Sequence, residues 1–313
     1  MALEKLEMRE VYTNTLIELA EKDERIVLLD ADLMKASKAI PFRERFPERT
    51  VDVGVAEANM ICVAAGLAAS GKIPFTHSFT AFASRRCFDQ VAISVAYSKL
   101  PVKMMGSDPG VSAELNGGTH MSFEDVGIMR NLSGMTIFEP TDGEQLRQAI
   151  PHILNHPGPV YIRMFRKVAE SINGTDYKFK WLKGDTLVEG NDVTIIATGL
   201  MVKESIKACE LLKAEGISAR VLNLHTVKPI DTEIIIKAAK ETGAIVTAEN
   251  HNIINGLGSA VAETLVENEP VPMKRIGVRD QFGEVGLMPF LMEKFHMLPS
   301  DIVAACKDVI ARK

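Results

Sequence analysis

The stretch Val53-Gly54-Val55-Ala56-Glu57-Ala58-Asn59-Met60 sets one carboxylate among apolar neighbours. Before it, Thr50-Val51-Asp52-Val53 is rich in β-branched residues, and after it Met60, Val63, Ala64 and Leu67 recur at helical spacing. Gly54 suits the sharp strand-to-helix turn between them. Glu57 is therefore expected in the first turn of a helix. One role for an acid there is electrostatic, because a helix N-terminus favours negative charge. The other is proton chemistry, because a carboxylate shielded from water can share a proton with a bound base. Position alone leaves both open.

Two loops stand where such chemistry needs support. Residues 31–38, Ala-Asp-Leu-Met-Lys-Ala-Ser-Lys, leave the carboxyl end of an apolar strand at 25–30. Open α/β sheets bind ligands at such ends, although a solvated loop is the simpler reading. Residues 106–120 form a long run rich in glycine and small polar residues, ending Asn116-Gly117-Gly118-Thr119-His120. Loops of that length inside a compact domain are usually functional or mobile.

The elements that position these loops follow an α/β alternation. Helices are expected at 8–22, after Glu57, and at 81–97, 122–131 and 143–155. Strands are expected at 25–30, 50–53, 73–79, 101–105, 135–139 and 159–164. Residues 170–191 interrupt the pattern and mark the domain boundary. A second unit follows, with strands at 193–198, 219–224, 244–249 and 275–278 and helices near 201–214, 231–241 and 257–267. Gly256-Leu257-Gly258-Ser259 opens the last of these helices. It is not a full dinucleotide fingerprint, and close packing is the simpler reason for its glycines. The fold class is thus α/β, with two domains, each a mostly parallel sheet flanked by helices.

Composition narrows the function. A chain of 313 residues exceeds most single cores. It is 46% hydrophobic and 25% charged, as soluble globular proteins are. The net charge of -5, with no Lys/Arg block, argues against nucleic acid as a partner. No apolar run reaches membrane-spanning length, and the N-terminal ten residues are too charged for a signal peptide. Cys62, Cys87, Cys209 and Cys306 are widely spaced, as free thiols in a reducing compartment would be. A cytoplasmic location is expected.

Four segments in order carry a resemblance: Gly54-Val55-Ala56-Glu57, the run from Pro74 to Phe82, Gly117-Gly118-Thr119-His120, and Pro140-Thr141-Asp142. Together they resemble the carboxy-terminal half of a transketolase over nearly the whole chain. The resemblance implies a pyrimidine-binding domain at 1–180 and a transketolase C-terminal domain at 190–313. It implies thiamine diphosphate as cofactor, with Glu57 on the aminopyrimidine, Phe79 and Phe82 flanking that ring, and Asp32 near the cofactor. Core packing remains the commoner fate of a phenylalanine. His120 matches the histidine that contacts substrate oxygens, where it could stabilise charge and relay protons. Arg163 and Arg166 match a substrate-phosphate arginine, as paired guanidinium donors suit. Arg9 and Ser37 resemble further phosphate contacts.

The departures bear on substrate and assembly. Asp108 stands where many transketolases have a histidine, and an aspartate there would repel a phosphate. Asn116 replaces a common aspartate, and His77 a small hydroxyl residue. No Gly-Asp-Gly segment is present to hold magnesium and the diphosphate. The resemblance therefore implies a split enzyme. This chain would be the subunit of a thiamine-diphosphate-dependent transketolase moving a two-carbon ketol unit from a ketose phosphate to an aldose. Mg2+ would be bound mainly by a partner, the N-terminal transketolase subunit carrying the diphosphate-binding domain, and the pair would be doubled. The alternatives are the β subunit of a 2-oxo-acid dehydrogenase or decarboxylase, a non-catalytic subunit, and the synthase of deoxyxylulose phosphate, which shares the Thr-His but is usually one long chain in which Phe82 is less expected. Thr119-His120 and Phe82 favour transketolase over the first. The retention of Glu57, Phe79, Phe82 and His120 together argues against the second.

Overall fold

Apolar strands and helices alternate along the chain. The computed structural model describes residues 5–174 and 176–313. Residues 1–4, where the charged N-terminal stretch begins, and Thr175, in the expected interdomain break, lie outside the described residues. Two compact units result: Met1–Pro109 with Ile128–Trp181, and Gly110–Gly127 with Leu182–Lys313.

The first unit opens with α1 (Met8–Ala20), β1 (Ile26–Asp30), α2 (Met34–Ser37), α3 (Ile40–Arg45) and β2 (Thr50–Asp52). It continues with α4 (Glu57–Ala69), β3 (Ile73–Phe79), α5 (Thr80–Ala83), α6 (Phe88–Gln90) and β4 (Lys103–Ser107). Helix α7 (Asp125–Arg130) leads to β5 (Thr136–Phe138), α8 (Gly143–Asn155) and β6 (Val160–Met164). The strands run in the order β5-β6-β4-β3-β1-β2, each parallel to its neighbours. Strands β1, β4 and β6 are buried along their whole length, as strands of a parallel sheet covered on both faces must be. Tyr12 and Leu16 of α1, Phe75 of β3 and Ile150 of α8 belong to one apolar cluster of this core. Asp142 caps α8 by accepting from Gln145 N at 2.9 Å, which satisfies a backbone donor the helix cannot.

One helix departs from expectation in a way that matters for the site. The run expected at 81–97 is broken at Ser84 (φ -115, ψ -86) into α5, a 3-10 turn at Arg85–Cys87, α6 and a wide π turn at Val91–Tyr97. Ser84 Oγ donates back to Thr80 O at 2.5 Å, a bond that bends helices.

The second unit holds β7 (Asp185–Val188), β8 (Val193–Ala197), α9 (Met201–Ala214), β9 (Ala219–Asn223), β10 (Thr226–Lys228) and α10 (Thr232–Thr242). Then come β11 (Ile245–Asn252), α11 (Leu257–Asn268), β12 (Met273–Val278), α12 (Met288–Lys294) and α13 (Pro299–Ile310). Its sheet runs β12-β11-β8-β9-β7, parallel except for β7, which pairs antiparallel with β9 at the edge. The segment Gly110–Gly127 belongs to this unit through polar contacts that its sequence does not advertise. Val111 N donates to Asn250 Oδ1 (2.9 Å), Asn252 N to Phe123 O (2.9 Å), and Gly127 N to His251 Nε2 (3.3 Å). Among the described residues, no helix is long and apolar enough to cross a membrane.

A buried lysine closes the lower edge of the first sheet. Lys103, the first residue of β4, is fully buried, and its Nζ donates to His156 O (2.6 Å) and Gly158 O (2.9 Å) just past the end of α8. Burial pushes its ammonium down to about 7, whereas an unfolded lysine titrates at about 10.4. Between these values the unfolded chain holds the extra proton, so stability rises with pH. Denaturant unfolding between pH 6 and pH 10 should therefore show the wild type gaining on Lys103→Met by at most about 1.4 kcal/mol per pH unit. Parallel curves for the two proteins would refute this.

Candidate functional site

The carboxyl edge of the first sheet collects buried polar side chains, each placed by a strand end. Asp30 closes β1, and the register sets it beside His77 of β3. Its carboxylate accepts from Leu33 N, from Ser37 Oγ at 3.1 Å, and lies 3.2 Å from His77 Nδ1. His77 Nε2 lies 3.3 Å from Ser107 Oγ at the end of β4. A carboxylate so buried requires such partners. His77 thus bridges Asp30 and Ser107 through its two ring nitrogens. Ser37 and Asp30 are thus tied together inside the unit, while Asp32 is exposed in left-handed backbone (φ 60), its N–H on Asp52 Oδ1 at 3.0 Å.

Glu57 begins α4, as expected, and is only 2% exposed. Its surroundings are less apolar than its sequence neighbours indicate, for Val55 is 72% exposed. Ser78 Oγ donates to Glu57 Oε1 at 3.0 Å, and Arg86 Nη1 donates to Oε2 at 2.9 Å. Phe79 and Phe82 sit edge to face with ring centroids 6.2 Å apart. The Arg86 guanidinium lies 3.8 Å from the Phe82 ring centroid. Burial, with the Glu57 carboxylate beside it, pushes the Cys87 thiol up to about 12. At neutral pH Cys87 is therefore no nucleophile. The chain thus brings Glu57, Phe79 and Phe82 together and adds Ser78 and Arg86, which sequence reasoning missed. No spacing marks Arg86, because the helix is broken at Ser84, between it and Phe82.

The two strand-end arginines part company. Arg163 lies within β6, fully buried, with Nη1 2.6 Å from Glu139 Oε1. Inside the unit that guanidinium faces a buried carboxylate. Arg166, beyond the strand end, has Nε 2.9 Å from Asp108 Oδ2 and its guanidinium 5.6 Å from the Phe79 ring centroid. Arg9 is committed to Glu7 Oε2 at 2.7 Å and to Ala36 O. Its hydrogen bond is the main reason the Glu7 carboxyl is held below its usual range.

His120 and Asn116 belong to the second unit. His120 is half-buried, with Nδ1 3.0 Å from Thr119 Oγ1. The glycine turn at 256–258 is filled by the chain itself. Leu257 N and Gly258 N donate to Glu249 Oε2 and Oε1 at 2.7 and 2.8 Å, so packing accounts for it. Among the described residues no group of three or more His, Cys, Asp or Glu is placed to hold a metal ion.

The site can do three things chemically. It can present a buried carboxylate to a basic heterocycle, set aromatic side chains beside that carboxylate, and offer a guanidinium to an anion. Comparison with known proteins points the same way. Residues 4–170 match the transketolase pyrimidine-binding domain, and residues 182–302 match the transketolase C-terminal domain. The chain is 60% identical over 311 residues to the 6-deoxy-6-sulfo-D-fructose transketolase subunit SqwH of Clostridium sp. (strain MSTE9), covering 99% of this chain and 97% of that one. It is 44% identical to a putative transketolase C-terminal section of Methanocaldococcus jannaschii, covering 95% and 94%. A solved split-gene transketolase, described as an inactive beta4 tetramer, superposes with a TM-score of 0.91 at 42% identity, covering 98% and 99%.

The contrast between the arginines can be measured. Breaking the buried pair with Arg163→Ala should cost about 3–5 kcal/mol in denaturant unfolding. The double replacement Arg163→Met with Glu139→Met should recover most of that loss. Wild-type stability in Arg163→Ala would show the pair to be dispensable.

Proposed function

Because the chain belongs to the transketolase family, we propose that it is the pyrimidine-side subunit of a split, thiamine-diphosphate-dependent transketolase that moves a two-carbon ketol unit from a ketose to an aldose. The observation that carries this reading is Glu57, buried, hydrogen-bonded by Ser78 and set beside the Phe79–Phe82 pair. These residues fit an aminopyrimidine, which needs a carboxylate for its ring nitrogen and apolar faces for its rings. When bound, thiamine diphosphate supplies the carbon nucleophile that attacks the ketose carbonyl.

The chain's own residues do the rest. Ser78 fixes Oε1 of Glu57, so that the carboxylate is oriented before any ligand arrives. Glu57 holds or accepts a proton at the ring nitrogen. Phe79 and Phe82 exclude water from the ring faces, which strengthens the hydrogen bond to Glu57. Mg2+ and the diphosphate would fall to the partner subunit, as the existence of split relatives supports.

For the donor sugar, the 60% identity to a subunit named for 6-deoxy-6-sulfo-D-fructose supports a ketose with a terminal sulfonate. Arg166 is the better placed of the two strand-end arginines to meet such an anion, since it is 23% exposed and Arg163 is fully buried.

Two experiments test the reading on the enzyme assembled with its diphosphate-binding partner, with 6-deoxy-6-sulfo-D-fructose and fructose 6-phosphate as anionic donors and D-fructose as an uncharged one. Glu57→Ala should lower turnover by about 100-fold or more while assembly is kept; wild-type turnover would end the proposal. Arg166→Ala should raise KM for anionic donors by about 10- to 100-fold and leave uncharged donors little affected. An equal effect on both would remove Arg166 from the anion site.

A further inference from the structure

One arginine already makes both contacts that the proposed function assigns to the aminopyrimidine. Arg86 Nη1 donates to Glu57 Oε2 at 2.9 Å, and the same planar guanidinium lies 3.8 Å from the Phe82 ring centroid. A guanidinium and an aminopyrimidine share the features that matter here: a flat face for an aromatic ring and in-plane nitrogen groups for a carboxylate. The local backbone sets the arrangement. The 3-10 turn at Arg85–Cys87 turns Cys87 inward, with Sγ 3.2 Å from Phe82 O. Arg86 is left on the solvent side, with its side chain 44% exposed.

We infer that Arg86 is an internal competitor for the cofactor: it caps Glu57 and covers Phe82 until the aminopyrimidine takes its place. This rests on the proposed cofactor reading. The exchange is physically easy because only one side of the pair is buried. Glu57 is 2% exposed and must keep a donor, whereas Arg86 can swing into water with its charge intact. The buried carboxylate thus passes from one donor to another without being left bare. Ser78 stays on Oε1 throughout and keeps the carboxylate oriented for either partner. No bond is made or broken; one hydrogen bond and one stacking contact are replaced by others of the same kind.

The test is calorimetric titration of thiamine diphosphate, with Mg2+, into wild-type, Arg86→Ala and Arg86→Lys forms of the chain assembled with its partner subunit. Removing the competitor should tighten binding by about fivefold in Arg86→Ala, the range of a half-exposed ion pair. Arg86→Lys keeps the charge but loses the flat face, and should fall between. Equal or weaker binding by Arg86→Ala would overturn the inference while leaving the cofactor reading standing. An absence of binding in every form, wild type included, would overturn both. A second readout is nitrogen-15 NMR of the guanidinium. The signal of the Arg86 Nη1 group, which donates to Glu57, should lose its protection when the cofactor saturates the site; a signal that stays protected at saturation overturns the exchange.

Discussion

A carboxylate taken almost out of water has to be satisfied by its neighbours, and that requirement organises the first unit's upper edge. Glu57 is buried because α4 starts where β2 ends and its first residue faces β3 and the turn that follows. Isolated, such a charge would cost several kcal/mol. Ser78 from β3 and Arg86 from the 3-10 turn supply its donors. Each of these depends on something further back: Ser78 on the register of a strand buried through Ser78, Arg86 on the break at Ser84. The carboxylate and the irregular turn are therefore one feature.

The same rule governs the neighbouring groups and separates chemistry from stability. Asp30 is held by Leu33 N, Ser37 and His77, and Arg163 by Glu139. Lys103 is held by two carbonyls past the end of α8, where a helix C-terminus favours a cation. These partners all lie within the unit. Arg86 and Arg166 differ: each pairs with a buried carboxylate while its own side chain reaches solvent. A charge anchored at one end and wet at the other is the kind that can exchange partners when a ligand arrives.

Much of this was legible in the sequence, and the failures have physical causes. The strand before Glu57, its helix and the α/β order follow from apolar spacing, which tertiary packing reinforces. The single helix expected at 81–97 fails because apolar spacing is blind to a hydroxyl that bonds back to its own helix. Arg163 ends a strand, where exposure would be expected, yet every residue of β6 is buried, and its partner Glu139 is near only in space. Arg166, past the strand, is where the chain regains solvent. The segment at 110–127 carries no mark of its unit, because Asn250, which binds Val111 N, lies 139 residues away. Helix α13 could have been found: Pro299 at its first turn precedes Ile302, Val303, Cys306 and Val309 at helical spacing.

Asp108 shows why a residue's charge cannot be read apart from its partner. As a lone aspartate it argues against an anionic substrate. In the fold it sits in left-handed backbone (φ 55), which aspartate tolerates better than most residues. Its N–H bonds Met164 O at 3.1 Å, and Thr80 Oγ1 donates to its carbonyl at 3.2 Å. The carboxylate is thereby directed onto Arg166 Nε. A ligand nearby meets the pair, whose net charge is close to zero, and not a bare aspartate. Pinned by one nitrogen, the guanidinium also loses less conformational freedom when a second anion approaches its other edge. An aspartate that looks like an obstacle to an anion by its charge alone is, in the fold, the ion-pair partner of an arginine.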